Sequence, residues 1–236
     1  MRLTLSLIMV ACLAGTVRAQ AETPKAPEGF QSIFNGKDLT GWDGNTKLWS
    51  VQDGAITGQT TTENPTKGNT FLIWKGGVVK DFELRLKIRL DNGNTGIQYR
   101  SYLNKDKGNW VVNGYQGDYD DTKQWLGSLY EEGGRGVLAQ MGQKVTIGPD
   151  GKLKETGKVA DVKELRGAID YKRWVDYVII AQGNHLMHKL NGTTVVDVTD
   201  EQESERAMEG IVALQVHAGP PMKVQFKDIY LKDLSK

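Results

Sequence analysis

The chain has 236 residues, a single cysteine and a formal net charge of +1. So even a balance of charge excludes the basic footprint that nucleic acid or an anionic membrane surface selects, and neither is an expected partner. With Cys12 alone there is no disulfide scaffold and no thiolate metal centre, so stability rests on a buried core, for which this length suffices as one domain.

Residues 1–19 have the form of a signal peptide: Arg2, an apolar run to about Ala14, then Val17-Arg18-Ala19, with cleavage expected before Gln20. The run is too short to span a bilayer, so no transmembrane segment is expected in the mature chain. A lipoprotein anchor at Cys12 is the weaker reading, because Met9 fits that recognition site poorly. The expected destination is export, periplasmic or secreted. A polar linker over 20–29 leads into one domain over 30–236.

From there the chain consists of short β-rich runs punctuated by turn residues, 28 glycines in the whole chain among them, which is the pattern of an all-β sandwich. Asn35-Gly36, Asp53-Gly54, Asp150-Gly151 and Asn191-Gly192 are tight-turn dipeptides, and LWSVQ and AITG flank the second of them as a hairpin. DFELRLKIRL alternates Phe82, Leu84, Leu86, Ile88 and Leu90 with Glu83, Arg85, Lys87 and Arg89, a strand with one buried and one wet face. TGIQYRS, WVVNGYQGD and WVDYVIIAQ are further strands, and the polar stretch from Pro149 to Lys172 reads as an insertion. NHLMHKL and TTVVDV around Asn191-Gly192 form the clearest hairpin. TDEQESERAME, with Thr199 as candidate cap, is the one helical segment expected. IVALQVH and KVQFKDIYL close the chain as strands, and in the second the apolar phase slips at Asp228, which predicts a bulge.

Alternation sorts the polar residues into faces. Gly96, Gln98 and Arg100 share a face, as do Gly114, Gln116 and Asp118; Gln215 and His217 lie side by side opposite Val212, Leu214 and Val216; His188 lies with Leu186 and Leu190. For any one of these residues a solvated surface is the simpler reading. Residue type argues for a site, because amides, imidazoles, Arg and Asp recur where a merely soluble face favours Lys, Glu and Thr. Such a set suits a hydroxyl-rich ligand, a small carbohydrate, with some of the six Trp and eight Tyr as stacking rings. His185 and His188 lie on opposite faces and cannot chelate together, whereas His188 with His217 and Asp118 or Glu131 could form an N/O set. Spacing gives that set no support, so no metal and no cofactor is expected. LYEEGGRGVLA adds Glu131, Glu132 and Arg135 around a glycine-rich turn, without phosphate-loop, dinucleotide or nucleophile-elbow spacing.

FNGKDLTGW, DFELRLKIRL with NTGIQYRS, VVNGYQGDYD, LYEEGGRGVLA, GNHLMHKLNG and ALQVHAGPPMKVQFKDIYLK, in that order over about Phe30 to Lys232, resemble the 3-keto-disaccharide hydrolase domain family. The resemblance implies a concanavalin-like jelly-roll sandwich of two antiparallel sheets, acting on glycosides oxidised at the 3-hydroxyl and cleaving the glycosidic bond by elimination or hydrolysis. It puts the family's polar positions on Gln98, Arg100, Gln116, Asp118, Glu131, Arg135, His188, Gln215 and His217. Many members have an acid where Lys87 stands, so that position supplies no carboxylate here. A ketone on carbon 3 acidifies the proton on carbon 2, a His with the ordinary pKa of about 6.5 suits as base, and Arg or amide donors suit an enolate. On this reading His188 or His217 takes the proton, Glu131 or Asp118 assists the leaving group, and Gln98, Arg100, Gln116, Arg135 and Gln215 bind the sugar. The rivals are a lectin-like binding domain without catalysis and an inert assembly domain. The catalytic reading requires the two imidazoles to meet in one hollow.

Overall fold

The computed structural model describes residues 25–235, so the expected signal peptide and the first half of the expected linker lie outside the described residues. Wherever apolar residues alternate, the chain is extended. In chain order the strands are β1 Gln31–Ser32, β2 Trp42–Asp43, β3 Trp49–Gln52, β4 Ala55–Gln59, β5 Thr70–Trp74 and β6 Phe82–Asp91. Then come β7 Asn94–Leu103, β8 Val112–Asp120, β9 Leu129–Glu132, β10 Gly136–Ala139, β11 Gln143–Ile147 and β12 Leu153–Lys158. After the helix α1 Val162–Ala168 follow β13 Val175–Gln182, β14 His185–Leu190, β15 Thr193–Asp200, β16 Ile211–Val216 and β17 Lys223–Asp233.

They form two sheets. The larger runs β12-β11-β15-β14-β13-β6-β17-β4-β3 with β1 added along β17, and the smaller runs β10-β9-β8-β7-β16-β5-β2. Pairing is antiparallel except between β11 and β15, which run parallel. The apolar faces meet between the sheets: Phe82, Leu84, Leu86, Ile88 and Leu90 of β6 oppose Ile97, Tyr99, Tyr115, Tyr119, Val212, Leu214 and Val216 in one continuous core. Each such side chain, removed wholly from water, contributes about 1.5–3 kcal/mol. This is the all-β, two-sheet sandwich expected from the sequence.

The turn chemistry holds in detail. Asp53-Gly54 and Asn191-Gly192 both adopt positive φ at the two central positions, 52° and 72° in the first and 47° and 83° in the second, as a type I′ hairpin turn demands. At Asp228 φ is 52° and the β17–β6 register shifts between Lys227 and Tyr230, so the slipped apolar phase is a bulge.

The one expected helix fails, and a helix forms elsewhere. TDEQESERAME forms no helix: Thr199 and Asp200 end β15, and turns follow. Asp200 is drawn inward to bind Arg135, at 2.7 Å, and its other oxygen accepts from Gln202 N–H, which ends regular structure there. The polar stretch from Pro149 to Lys172 contains an edge strand, β12, and α1. Asp161 caps α1 by accepting from Glu164 N–H at 2.8 Å, and Leu165 and Ile169 pack into the core.

The outer face of the smaller sheet is divided. At one end Phe71, Val112 and Ala213 form a second apolar cluster with Ile73, Leu103 and Ile211. The loop after β7 lies alongside it, with Phe71 N–H donating to Trp110 O and Asn104 N–H to Val111 O. The polar end of the same face is left as a hollow.

Candidate active site

Cross-strand partners share a face, and the register aligns amides across three strands. Gln98 stands opposite Gln116, which stands opposite Tyr130 on its other side. Gly96 makes this layer possible, since a Cβ there would sit 2.4 Å from Cδ of Gln116. The amides form a directed chain. Ser101 Oγ donates to Gln98 Oε1 at 2.7 Å, while Gln98 Nε2 and Gln215 Nε2 donate to Gln116 Oε1 at 2.8 and 2.9 Å. With its carbonyl so occupied, Gln116 turns its NH2 group outward and donates to Asp118 Oδ1 at 2.6 Å. Gln98 and Gln215 are themselves fully covered, at 0% exposure, so they lie beneath the hollow and hold its walls.

The hollow encloses about 200 Å³. Asp118, Glu132, His217, Asn69, Tyr130 and Trp125 line it. Glu132 accepts from Asn69 Nδ2 at 3.3 Å and from Gln215 Nε2 at 3.2 Å. Asn69 Oδ1 in turn accepts from Ala218 N–H at 3.0 Å, which ties down the segment carrying His217. His217 Nδ1 lies 2.5 Å from Ala218 O; a carbonyl only accepts, so Nδ1 carries a hydrogen, and in the neutral ring the lone pair is on Nε2. Burial, then the neighbouring charges of Asp120 and Glu132, push the Asp118 carboxyl up to about 8 against the opposing donation from Gln116. At neutral pH Asp118 is therefore an acid with a proton to give, and the Gln116 donor on Oδ1 leaves Oδ2 to carry it. Burial first, and then Glu132 and Asp118, raise the Tyr130 phenol as well, so it remains a donor.

Five of the nine expected positions, Gln98, Gln116, Asp118, Gln215 and His217, thus gather around this hollow; the other four do not. His188 is 0% exposed, between the sheets. Its Nδ1 lies 3.0 Å from Gly127 O and its Nε2 2.9 Å from Tyr99 OH, and the rings of Tyr99 and Tyr177 flank it edge-on. Burial lowers its pKa to about 4, so it is a neutral, fully bonded core residue. The two imidazoles do not meet, so the catalytic reading that required both in one hollow fails in that form and only His217 is left to serve there; the N/O metal set that needed both is not assembled. Among the described residues no three His, Cys, Asp or Glu side chains group as metal ligands.

Glu131 points inward from β9 and pairs with Arg135 at 2.6 Å; Arg135 also meets Asp200 and Tyr115 OH. Arg100, at φ 44°, lies in a bulge where β7 and β8 shift register. Its guanidinium, buried, pairs with Asp81 at 2.9 Å and donates to Gly183 O at 2.6 Å. Lys87 lies on the outer face of the larger sheet, paired with Asp176. Sequence reasoning missed Asn69, Trp125 and Tyr130, and named Glu132 without giving it a role in the site. For two of them a signal existed: Leu129 fixes the inward face of β9, so Tyr130 and Glu132 face the hollow and Glu131 does not.

This arrangement, amides beneath paired carboxyls with one imidazole at the rim, can be set beside known proteins. Residues 29–232 match the model of the 3-keto-alpha-glucoside-1,2-lyase-like domain. The chain belongs to this family. None of the curated proteins is matched by sequence. Among solved structures, the domain is similar to a protein of Parabacteroides distasonis described as a "putative glycosyl hydrolase", with 19% identity, TM-score 0.58, and coverage of 88% of this chain and 95% of that one. It is also similar to the carbohydrate-binding module CBM66 of Bacillus subtilis, with 18% identity, TM-score 0.54, and coverage of 82% and 96%. A Bacillus subtilis protein with a galectin-like fold gives 9% identity, TM-score 0.56, and coverage of 83% and 90%. At such identities these likenesses establish the fold alone of the 3-keto-alpha-glucoside-1,2-lyase-like domain: a jelly-roll sandwich.

Proposed function

We infer that the hollow cleaves glycosides whose sugar carries a ketone at carbon 3. One observation carries this reading: a protonated carboxyl, Asp118, and an imidazole with a free Nε2, His217, line one hollow of about 200 Å³, a volume suited to a single sugar ring. The pair needs no strong nucleophile, because the ketone makes the hydrogen on carbon 2 acidic. His217 Nε2 takes that proton, and the electron pair moves into an enolate whose oxygen accepts from the Tyr130 phenol. Collapse of the enolate forms the carbon 1–carbon 2 double bond and breaks the bond from carbon 1 to the glycosidic oxygen. Asp118 protonates that oxygen, so the alcohol leaves neutral. His217 has gained one proton and Asp118 has lost one, and transfer through water restores both. Elimination leaves an enone, and water added across its double bond turns the net reaction into hydrolysis. Glu132, held by Asn69 and Gln215, accepts from sugar hydroxyls. Export, proposed from residues 1–19, is checked by finding Gln20 as the first residue of protein recovered outside the cytoplasm.

The test is turnover of methyl 3-keto-α-glucoside, followed by ultraviolet absorbance of the enone and by release of methanol. His217→Gln and Asp118→Asn should each lower kcat by roughly 10²–10⁴-fold, the range of general acid–base catalysis. Wild-type rates in both variants would sink the assignment. Tight binding of the unoxidised glucoside with no turnover of the keto form would instead favour a binding module, the reading suggested by the likeness to CBM66.

A further inference from the structure

Resting on that reading, the surroundings of the hollow also say what leaves. A second hollow, of about 380 Å³, adjoins the first, and Asn94, Trp125 and His217 line both. The proposed base therefore stands at the junction, and a glycosidic bond placed against it has its sugar in one hollow and its aglycone in the other. The two differ in chemistry. In the first, Asp118, Glu132 and Tyr130 line a space of one sugar ring. In the second, the carboxylates accept from the backbone: Asp120 accepts from Trp125 N–H at 3.0 Å and Gln124 N–H at 3.2 Å, and Asp121 accepts from Gly93 N–H at 2.8 Å. What remains for a ligand is the indole of Trp125, Pro220, Met222 and the bare backbone of Gly93 and Gly219, with Asn94 and Gln124 as polar side chains among them.

We propose that this second hollow is the leaving-group subsite and that it takes a flat aromatic aglycone. Its volume exceeds that of the sugar hollow, its walls include an indole and a proline, and its two carboxylates already accept from backbone N–H groups. Stacking on an indole suits an aromatic ring.

The test compares benzyl and methyl 3-keto-α-glucosides. Benzyl alcohol and methanol leave with nearly equal ease, so a difference in kcat/KM reads the pocket and not the chemistry. The wild type should favour the benzyl substrate about tenfold, the size of one aromatic contact, and Pro220→Asp and Trp125→Leu should each bring the ratio close to one. Equal rates on both substrates in the wild type, or a ratio unchanged in both variants, would overturn the subsite while leaving the catalytic reading intact. Calorimetric titration with the unoxidised benzyl and methyl glucosides supplies the converse. If neither keto-glycoside is turned over but the benzyl glucoside binds more tightly than the methyl, and Pro220→Asp removes the difference, the subsite stands and the catalytic reading falls. No preference in binding as well as no turnover overturns both.

Discussion

Asp118 sits where a carboxylate is hardest to keep ionised: it is buried, Asp120 and Glu132 add negative charge, His217 and Tyr130 line the same hollow, and among the described residues Gln116 alone donates to its carboxyl. Its acid form persists to about pH 8, so kcat/KM should fall as pH rises through about 8 and the proton on Oδ2 is lost. An activity that keeps rising to pH 10 would remove Asp118 as the acid. His188 makes the contrasting case. Replacing it with Ala deletes a buried ring and orphans Tyr99 OH and Gly127 O, a loss of about 3 kcal/mol, or roughly 10 °C in Tm. His217→Gln, at the rim, should leave Tm within about 2 °C of the wild type while removing turnover. At this scale parity already carried the information that His188 shares a face with Leu186 and Leu190. It could not say whether that face met another sheet or a ligand, because both environments receive the same alternation.

Among the elements, β7 and β8 decide the site. Their register stacks Gln98 on Gln116 only while Gly96 keeps its side clear. Gly96→Ala should push Gln116 from its place, break its bond to Asp118, cost about 1–3 kcal/mol and lower kcat at least about tenfold. Retained activity, measured on the same keto-glucoside, would show that the amide layer is packing alone. Asp161→Ala, which removes the cap of α1, should cost about 1 kcal/mol and leave kcat unaltered, because Asp161 touches neither hollow. Two bulges show what was legible. That at Asp228 announced itself as a slip in the apolar phase. That at Arg100 and Ser101 has no such slip, because no apolar run follows it, and it turned an arginine expected beside Gln98 toward Asp81.

For the whole molecule the two perturbed groups oppose one another. The pKa of His188 falls from its ordinary 6.5 to about 4, so the unfolded chain binds the extra proton first, and stability is lost as pH drops from about 6.5 to about 4, by about 3 kcal/mol in all. The pKa of Asp118 rises from 3.8 to about 8, so the folded chain holds the proton longer, and stability is lost as pH climbs across that window. Chemical denaturation of Asp118→Asn should therefore show a variant more stable than the wild type, by a margin that widens from about pH 4 to about pH 8. A margin independent of pH would mean that Asp118 titrates as an ordinary carboxylate.

Sequence alone determined the sandwich, its I′ hairpins, the bulge at Asp228 and the carbohydrate family, since each depends on periodicity, on residues within a few positions, or on ordered motifs. Only the tertiary structure separated His217 from His188 as the imidazole of the hollow. Which side of a strand meets the core and which meets a ligand depends on what the other strands bring to it. That pairing, made across distant parts of the chain, also sets the burial and the neighbouring charges that make Asp118 an acid.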